Sequence, residues 1–522
     1  MRSKKVLINT VSGLAYEVVA VICGLVLPYL IINNSDYGSE TNGITQAISQ
    51  FLSCIALMKA GIGGVTRAAL YKALAKNDIN KISAIIKATS SFMKKIALFF
   101  IGLTVVFAIG FGIYMQNFVA PEDSFDFWFT ASLVVIISIG TFGEYFFGFT
   151  YEMLLSADQR QCVFSIIRIF TTLLNTVVAV ILITNHCTIH WIKLGASLVF
   201  LINPIAINLY AKSKYKLRKD VEPDRSALNQ RWDALGHEVA NFVNTNTDIM
   251  VLTICTGNMA LVSVYTTYNM IIIGMRKLVN TFINGFGAAF GNMHALGEYE
   301  LMEKNFRVYE LIVFSLVSIL YSVMTVVFVP FAVMYSIHDP NPANRAEYYQ
   351  PIFAIVITLA GAFNCIRIPY QNIVTVVGHF KQTRNGAFFE AILNIVLSVS
   401  CVYFFGIVGV AIGTLAAVLF RTVQYVIYMS RNVLKRPIWY FVRHTILFLA
   451  ILILTNGISR LCFNIDVHNT FAWIIASIET TLVAAALTII GNIIFYNKDM
   501  KYFMSKSKNM FKSFGKKKAK KA

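Results

Sequence analysis

Charge is scarce in this sequence. Only 14% of its 522 residues are Asp, Glu, Lys or Arg, where a soluble domain carries about 25%. Acidic groups are the scarcer sign, 26 against 45 Lys and Arg, which leaves a formal net charge of +19. The sign suits an acidic partner, but the low total excludes a disordered chain and a soluble nucleic-acid binder. The eight cysteines, at 23, 54, 162, 187, 255, 365, 401 and 462, have no C-x-x-C or metal spacing, which excludes a zinc module and a secreted disulfide scaffold. No G-x-x-x-x-G-K-[ST] run occurs, which excludes a P-loop ATPase. Alternating ten-residue segments, the mark of a membrane barrel, are also missing.

What is present is apolar: 57% of the residues are hydrophobic, in long continuous runs. A span needs about 20 such residues to cross about 30 Å of hydrocarbon, and only a helix satisfies its own backbone there. The sequence therefore predicts an all-α polytopic membrane protein with about fourteen spans. They run over 7–32, 41–60, 96–115, 128–152, 162–184, 191–210, 237–256, 261–283, 309–335, 351–377, 386–405, 407–429, 441–459 and 470–495. Segments 41–60 and 237–256 are the most polar of these.

The basic residues support an even count of spans. Most fall on alternate connections: Arg2, Lys4 and Lys5 at the start, then 61–95, 211–236, and Arg431, Lys435, Arg436 and Arg443, and a tail from Lys498 to Lys521. The other side holds Lys193, Arg345 and Arg460. By the positive-inside rule both termini are cytoplasmic. The first apolar run lasts a full span with no small-residue cleavage site, so it reads as a helix rather than a signal peptide.

Two halves are weakly alike. Tyr37 and Asn42 precede a span ending Gly61-Ile62-Gly63, followed by Lys81; Tyr265 and Asn269 precede one ending Gly285-Phe286-Gly287, followed by Lys304. Six spans per half bring both halves in from the same side, a parallel pseudo-twofold repeat. The expected organisation is an N-terminal six-helix lobe over 1–211, a basic linker over 212–236 and a C-terminal six-helix lobe over 237–430. Two additional helices over 431–495 and a polybasic tail over 496–522 follow. The tail suits anionic lipid or a topology anchor. Segment 66–90, with Leu70, Leu74, Ile82, Ile85 and Ile86 among lysines, reads as an amphipathic surface helix.

Ionisable groups within spans are expensive and face a cavity or a partner. Glu17 and Asp248 lie at matching depths in the first helix of each half, with Asn241, Asn244, Asn246 and Thr247 around the second. They mark either a wet cavity with relay or ion-ligand carboxylates or a buried hydrogen-bonded network. Lys59 and Arg276 also lie in equivalent helices, with Lys277 beside Arg276, Arg367 and Arg421 in other spans and Arg67 just beyond one. An Arg fork suits bidentate phosphate contacts, while Lys can snorkel to the interface. Arg168 has Glu144 or Glu152 as prospective partners. Pro28, Pro204, Pro330 and Pro369 interrupt spans and permit kinks.

Tyr37-Gly38 with Asn42-Gly43-Ile44, Gly61-Ile62-Gly63 with Arg67, and Leu70-Tyr71 with Ala75 resemble the start of the Wzx-type flippases. These form part of the polysaccharide-transporter branch of the multidrug/oligosaccharidyl-lipid/polysaccharide superfamily. Ala240-Asn241-Phe242, Asn246-Thr247-Asp248 and Val262-Ser263-Val264-Tyr265 resemble the start of that family's second half. The last two spans are similar in layout to the lipid II flippases. The resemblance implies a V-shaped bundle of two lobes with alternating access. It implies transfer of an undecaprenyl-diphosphate-linked oligosaccharide across a bacterial cytoplasmic membrane for surface polysaccharide such as O-antigen.

The expected site is therefore Lys59, Arg67, Arg276 and Arg367 for the diphosphate and sugar, with Glu17, Asn244 and Asp248 as coupling or polar cavity groups. These positions are read from depth and chemistry, since no family motif specifies them. No enzyme activity, metal or organic cofactor is expected; a proton or sodium gradient would supply any coupling. Expected partners are the lipid-linked sugar, anionic lipids and polymerase machinery, with no nucleic acid. The rivals are a multidrug/cation antiporter of the same superfamily, which would need an acidic cavity, and a membrane polysaccharide polymerase or ligase, which would need a long outer loop.

Overall fold

A computed structural model describes residues 2–59, 62–119, 125–218, 220–224, 246–283, 290–291, 293–294, 296–462 and 469–505. The regular elements among these residues are all helices, with no strand. Among the described residues eleven helices are long and apolar enough to cross a membrane, and the chain is a multi-pass helical membrane protein. They lie on eleven of the expected segments. Of the other three, 41–60 is helical as α2 (Gly38–Ile55) with a 3-10 turn to Lys59, and 261–283 as α10 (Met259–Ile283). Within 237–256, residues 246–256 form α9 and the rest lies outside the described residues.

The first helices are α1 (Arg2–Ile32), α2, α3 (Ile62–Ala75), α4 (Ile79–Tyr114), α5 (Phe127–Gly143), α6 (Phe149–Ala157), α7 (Gln161–Thr184) and α8 (Ile189–Lys214). Local chemistry sets several of their ends. Asp78 caps α4 by accepting from the Lys81 N–H at 3.0 Å, and Asp126 caps α5 by accepting from the Phe129 N–H at 2.6 Å. Such caps satisfy donors that a helix start leaves open. At 1.5 Å per residue, the 36 residues of α4 span about 54 Å, so its lysine-bearing first half extends beyond the hydrocarbon.

The expected surface helix over 66–90 is instead a helical hairpin. Asn77 takes a left-handed φ of 51° and Asp78 restarts the chain as α4. Leu70, Ile82, Ile85 and Ile86 are buried against Leu154 and Ala157. Their apolar stripe thus meets α6 rather than lipid.

After α10 come α11 (Tyr299–Tyr335), α12 (Pro342–Glu347), α13 (Pro351–Ile366), α14 (Ile368–Val377), α15 (Phe380–Phe405), α16 (Ile407–Asn432), α17 (Trp439–Cys462) and α18 (Thr470–Phe495). Pro28, Pro204 and Pro330 are carried inside α1, α8 and α11. Pro369 accompanies a real break: α13 ends at Ile366, Arg367 bridges, and α14 begins with Pro369 in its first turn. Gly378, at φ 74°, ends α14 in the left-handed conformation that glycine adopts without strain.

The chain forms two compact units. The first is Met1–Met270 with His338–Glu347 and Val402–Ile407; the second is Ile271–Ile337, Tyr348–Cys401 and Val408–Ala522. In the first, α7 packs between α1 and α8, and α5 packs on α4 and α8. A Cβ at Gly43 of α2 would lie 1.8 Å from the Met259 carbonyl oxygen, so only glycine admits that approach. In the second unit, α11 is central and carries α13, α17 and α18. Asn456 donates to Thr325, Trp473 Nε1 to the Val327 carbonyl at 3.0 Å, and Asn492 to Ser315 at 2.8 Å, so polar contacts fix the last two helices to α11. All eight cysteines are free thiols.

Candidate functional site

Between α5 and α6 the helix widens into a π-turn, Glu144–Gly148, a feature that often accompanies function. It sets Glu144 against Lys59, with Nζ 2.8 Å from Oε1. Lys59 ends the 3-10 turn after α2 and lies 5.1 Å from the centre of the Tyr145 ring. Tyr145 is buried and its hydroxyl donates to the Ala56 carbonyl at 2.5 Å, which holds that turn in place. Eight residues beyond Glu144, Glu152 accepts from Arg168 of α7, whose Nη2 lies 3.0 and 3.1 Å from its two oxygens. Of the two carboxylates foreseen for Arg168, the fold selects Glu152.

These pairs line two cavities of the first unit. One, of about 600 Å³, is lined by Lys59, Arg67, Ser49, Ser53 and Glu144 among others. The second, of about 380 Å³, is lined by Glu144, Glu152, Arg168, Asn175, Lys193 and Asn203 among others. Ser49, Ile137, Thr141 and Glu144 belong to both walls. Among the described residues no carboxylate pairs with Arg67. The larger cavity therefore presents two cations to one carboxylate.

The other foreseen carboxylates lie elsewhere. Asp248 is buried on α9 and accepts from the Tyr265 hydroxyl of α10 at 2.6 Å. Nearby, Asn42 donates to Ser263 at 2.8 Å. Glu17 is half-buried on α1. Neither lines either cavity. Asn244 lies outside the described residues.

Arg276 and Arg367 belong to the second unit. In the same unit the Cys365 thiol contacts the Tyr321 hydroxyl at 3.2 Å. Arg367, at the break between α13 and α14, is buried and pairs with Glu390 of α15. Arg421 of α16 approaches the other Glu390 oxygen at 3.5 Å and donates to the Thr383 carbonyl at 2.8 Å and to the Tyr425 hydroxyl at 2.7 Å. Two guanidinium groups thus share one carboxylate.

A further buried pair joins Arg436 to Glu310 at 2.7 Å, with Tyr370 bridging them. Burial disfavours the Arg436 charge, but Glu310 and Tyr370 more than offset this and raise its pKa. Sequence reasoning did not single out Glu310, Glu390 or Lys193. The intramembrane position of the two glutamates was the available signal; which arginine each meets lay in the fold.

No protein-family model and no curated protein sequence matches the chain. Its fold does match solved structures. A lipid II flippase MurJ in an inward closed conformation is 14% identical, over 94% of this chain and 99% of that one, with a TM-score of 0.70. An inward-facing multidrug resistance MATE family transporter of the MOP superfamily is 13% identical, over 81% of this chain and 98% of that one, with a TM-score of 0.58. A MOP superfamily transporter from Pyrococcus furiosus, whose binding pocket is described as having reverse polarity, is 14% identical over 83% of this chain and 97% of that one, with a TM-score of 0.54. At these identities the likeness is one of fold.

Proposed function

We propose that this chain is a flippase that moves an undecaprenyl-diphosphate-linked oligosaccharide across the bacterial cytoplasmic membrane by alternating access, for surface polysaccharide synthesis. The observation that carries the reading is the shared fold with a lipid II flippase over 94% of the chain. The likeness to the MATE transporter extends over 81%, leaving a share about the size of the last two helices and tail.

The charge inventory supports the same reading. Lys59 and Arg67 offer a diphosphate an ammonium and a guanidinium in one polar cavity. Glu144 holds Lys59 when no anion is present, and an incoming phosphate would compete with it for the same ammonium. In the second unit Arg276 is proposed as a further substrate contact, while Arg367 holds the broken helix on Glu390. Asp248, Glu17 and Asn244 are proposed as coupling groups for a proton or sodium gradient. The layout proposed has fourteen crossings, both termini cytoplasmic, and the basic tail against anionic lipid, with polymerase machinery as a partner.

The drug-antiporter alternative shares the fold but requires an acidic cavity, and both cavities of the first unit contain unpaired cations. Reconstitution decides the matter. Proteoliposomes containing the purified chain should translocate a fluorescent undecaprenyl-diphosphate sugar, and Arg67→Gln should slow it about tenfold, the effect of one lost charged hydrogen bond. No transfer by the wild type sinks the reading.

A further inference from the structure

In the smaller cavity of the first unit one cation has no ionic partner among the described residues. Lys193 stands in the second turn of α8 and lines the wall with Asn175 and Asn203. Both carboxylates facing the cavity are already engaged, Glu144 by Lys59 at 2.8 Å and Glu152 by Arg168 at 3.0 Å. Among the described residues no carboxylate pairs with Lys193.

Two amides line the same space with unmet hydrogen-bonding capacity. Asn175 is 4% exposed, and neither its Oδ1 nor that of Asn203 has a hydrogen-bond partner. Since an amide can turn over, each can offer N–H donors to the cavity. The start of the 26-residue α8 adds the positive end of a helix dipole beside Lys193. Lys193 is half-buried in this wall, where a counter-ion would stabilise its charge. At about 380 Å³ the space exceeds a water's share of about 30 Å³ more than tenfold, and a polar cavity of that size is occupied.

We propose that this cavity binds a phosphate-type oxyanion, with Lys193 as its charge partner and the amides of Asn175 and Asn203 as its hydrogen-bond donors. The inference does not depend on flippase activity. Arg168 faces the same space and uses only Nη2 on Glu152, so further guanidinium donors adjoin the site. A halide would satisfy the charge but leave most donors and most of the volume unused. The phosphate can come from solution or from the head group of a lipid-linked substrate.

The test uses the purified full-length chain in detergent. Titration with inorganic phosphate should show saturable binding and thermal stabilisation. Lys193→Gln should weaken it roughly 10- to 100-fold, Lys193→Arg should restore most of it, and Asn175→Leu should weaken it. Arg460→Gln, at the exposed end of α17, should leave it unchanged. Undecaprenyl diphosphate that binds through Lys193 and competes with phosphate identifies the lipid source; phosphate binding alone identifies a soluble anion.

If Lys193→Gln fails to fold, wild-type protein supplies the answer. Phosphate should protect Lys193 from an amine-reactive reagent, read by mass spectrometry. Equal modification with and without phosphate, or phosphate affinity unchanged in Lys193→Gln, overturns the proposal, whether or not the chain flips lipids.

Discussion

At the scale of single residues, membrane burial makes each ionisable group consequential. Glu390 is 3% exposed and balances Arg367 and Arg421. Removing one side of such a cluster leaves unpaired buried charge, at a cost of about 3–5 kcal/mol. Glu390→Leu should therefore markedly lower the unfolding temperature in detergent, and pairing it with Arg367→Leu should recover part of the loss. A single mutant as stable as wild type would show that the guanidinium groups find other partners. Lys59→Met should cost less, because that pair keeps 32% and 35% side-chain exposure. Polar residues in spans were visible along the chain, and so was the choice between Glu144 and Glu152 for Arg168. That Lys59 meets Glu144, 85 positions away, was not, because the contact depends on how α2 and the π-turn come together.

At the scale of elements, apolar runs were enough to locate helices, since a backbone in hydrocarbon has no alternative to internal hydrogen bonds. The hairpin over 62–114 shows where that logic stops. Its apolar spacing suits a lipid surface and a neighbouring helix equally well, and α6 is what covers it. Close approaches are likewise decided in three dimensions. Gly43→Ala should abolish well-folded expression, since its Cβ would meet the Met259 carbonyl at 1.8 Å, whereas Gly13→Ala, with nothing within 4 Å, should stay within about 0.5 kcal/mol of wild type. Monodispersity and thermal unfolding of the two variants check this contrast. Asn492→Leu removes the bond to Ser315 and should loosen α18 by about 0.6–2 kcal/mol.

At the scale of the whole molecule, the proposed fourteen crossings would place both ends on one side and Cys462 on the other. In a variant retaining Cys462 alone, an impermeant maleimide should label the thiol on intact cells, while a cysteine at position 511 should label only after permeabilisation. Early labelling of both would indicate an odd number of crossings. The sequence by itself determined that this is an all-helical membrane chain and where most of its helices lie, and it marked some of the ionisable groups at membrane depth, because hydropathy and helix geometry are local along the chain. Only the tertiary structure decided that Arg67 and Lys193 line cavities whose carboxylates are engaged by other cations, while Arg367 is held by Glu390. Charge compensation depends on neighbours brought together by packing, and in a low-dielectric interior those few ångströms decide whether a cation holds the fold or awaits an anion.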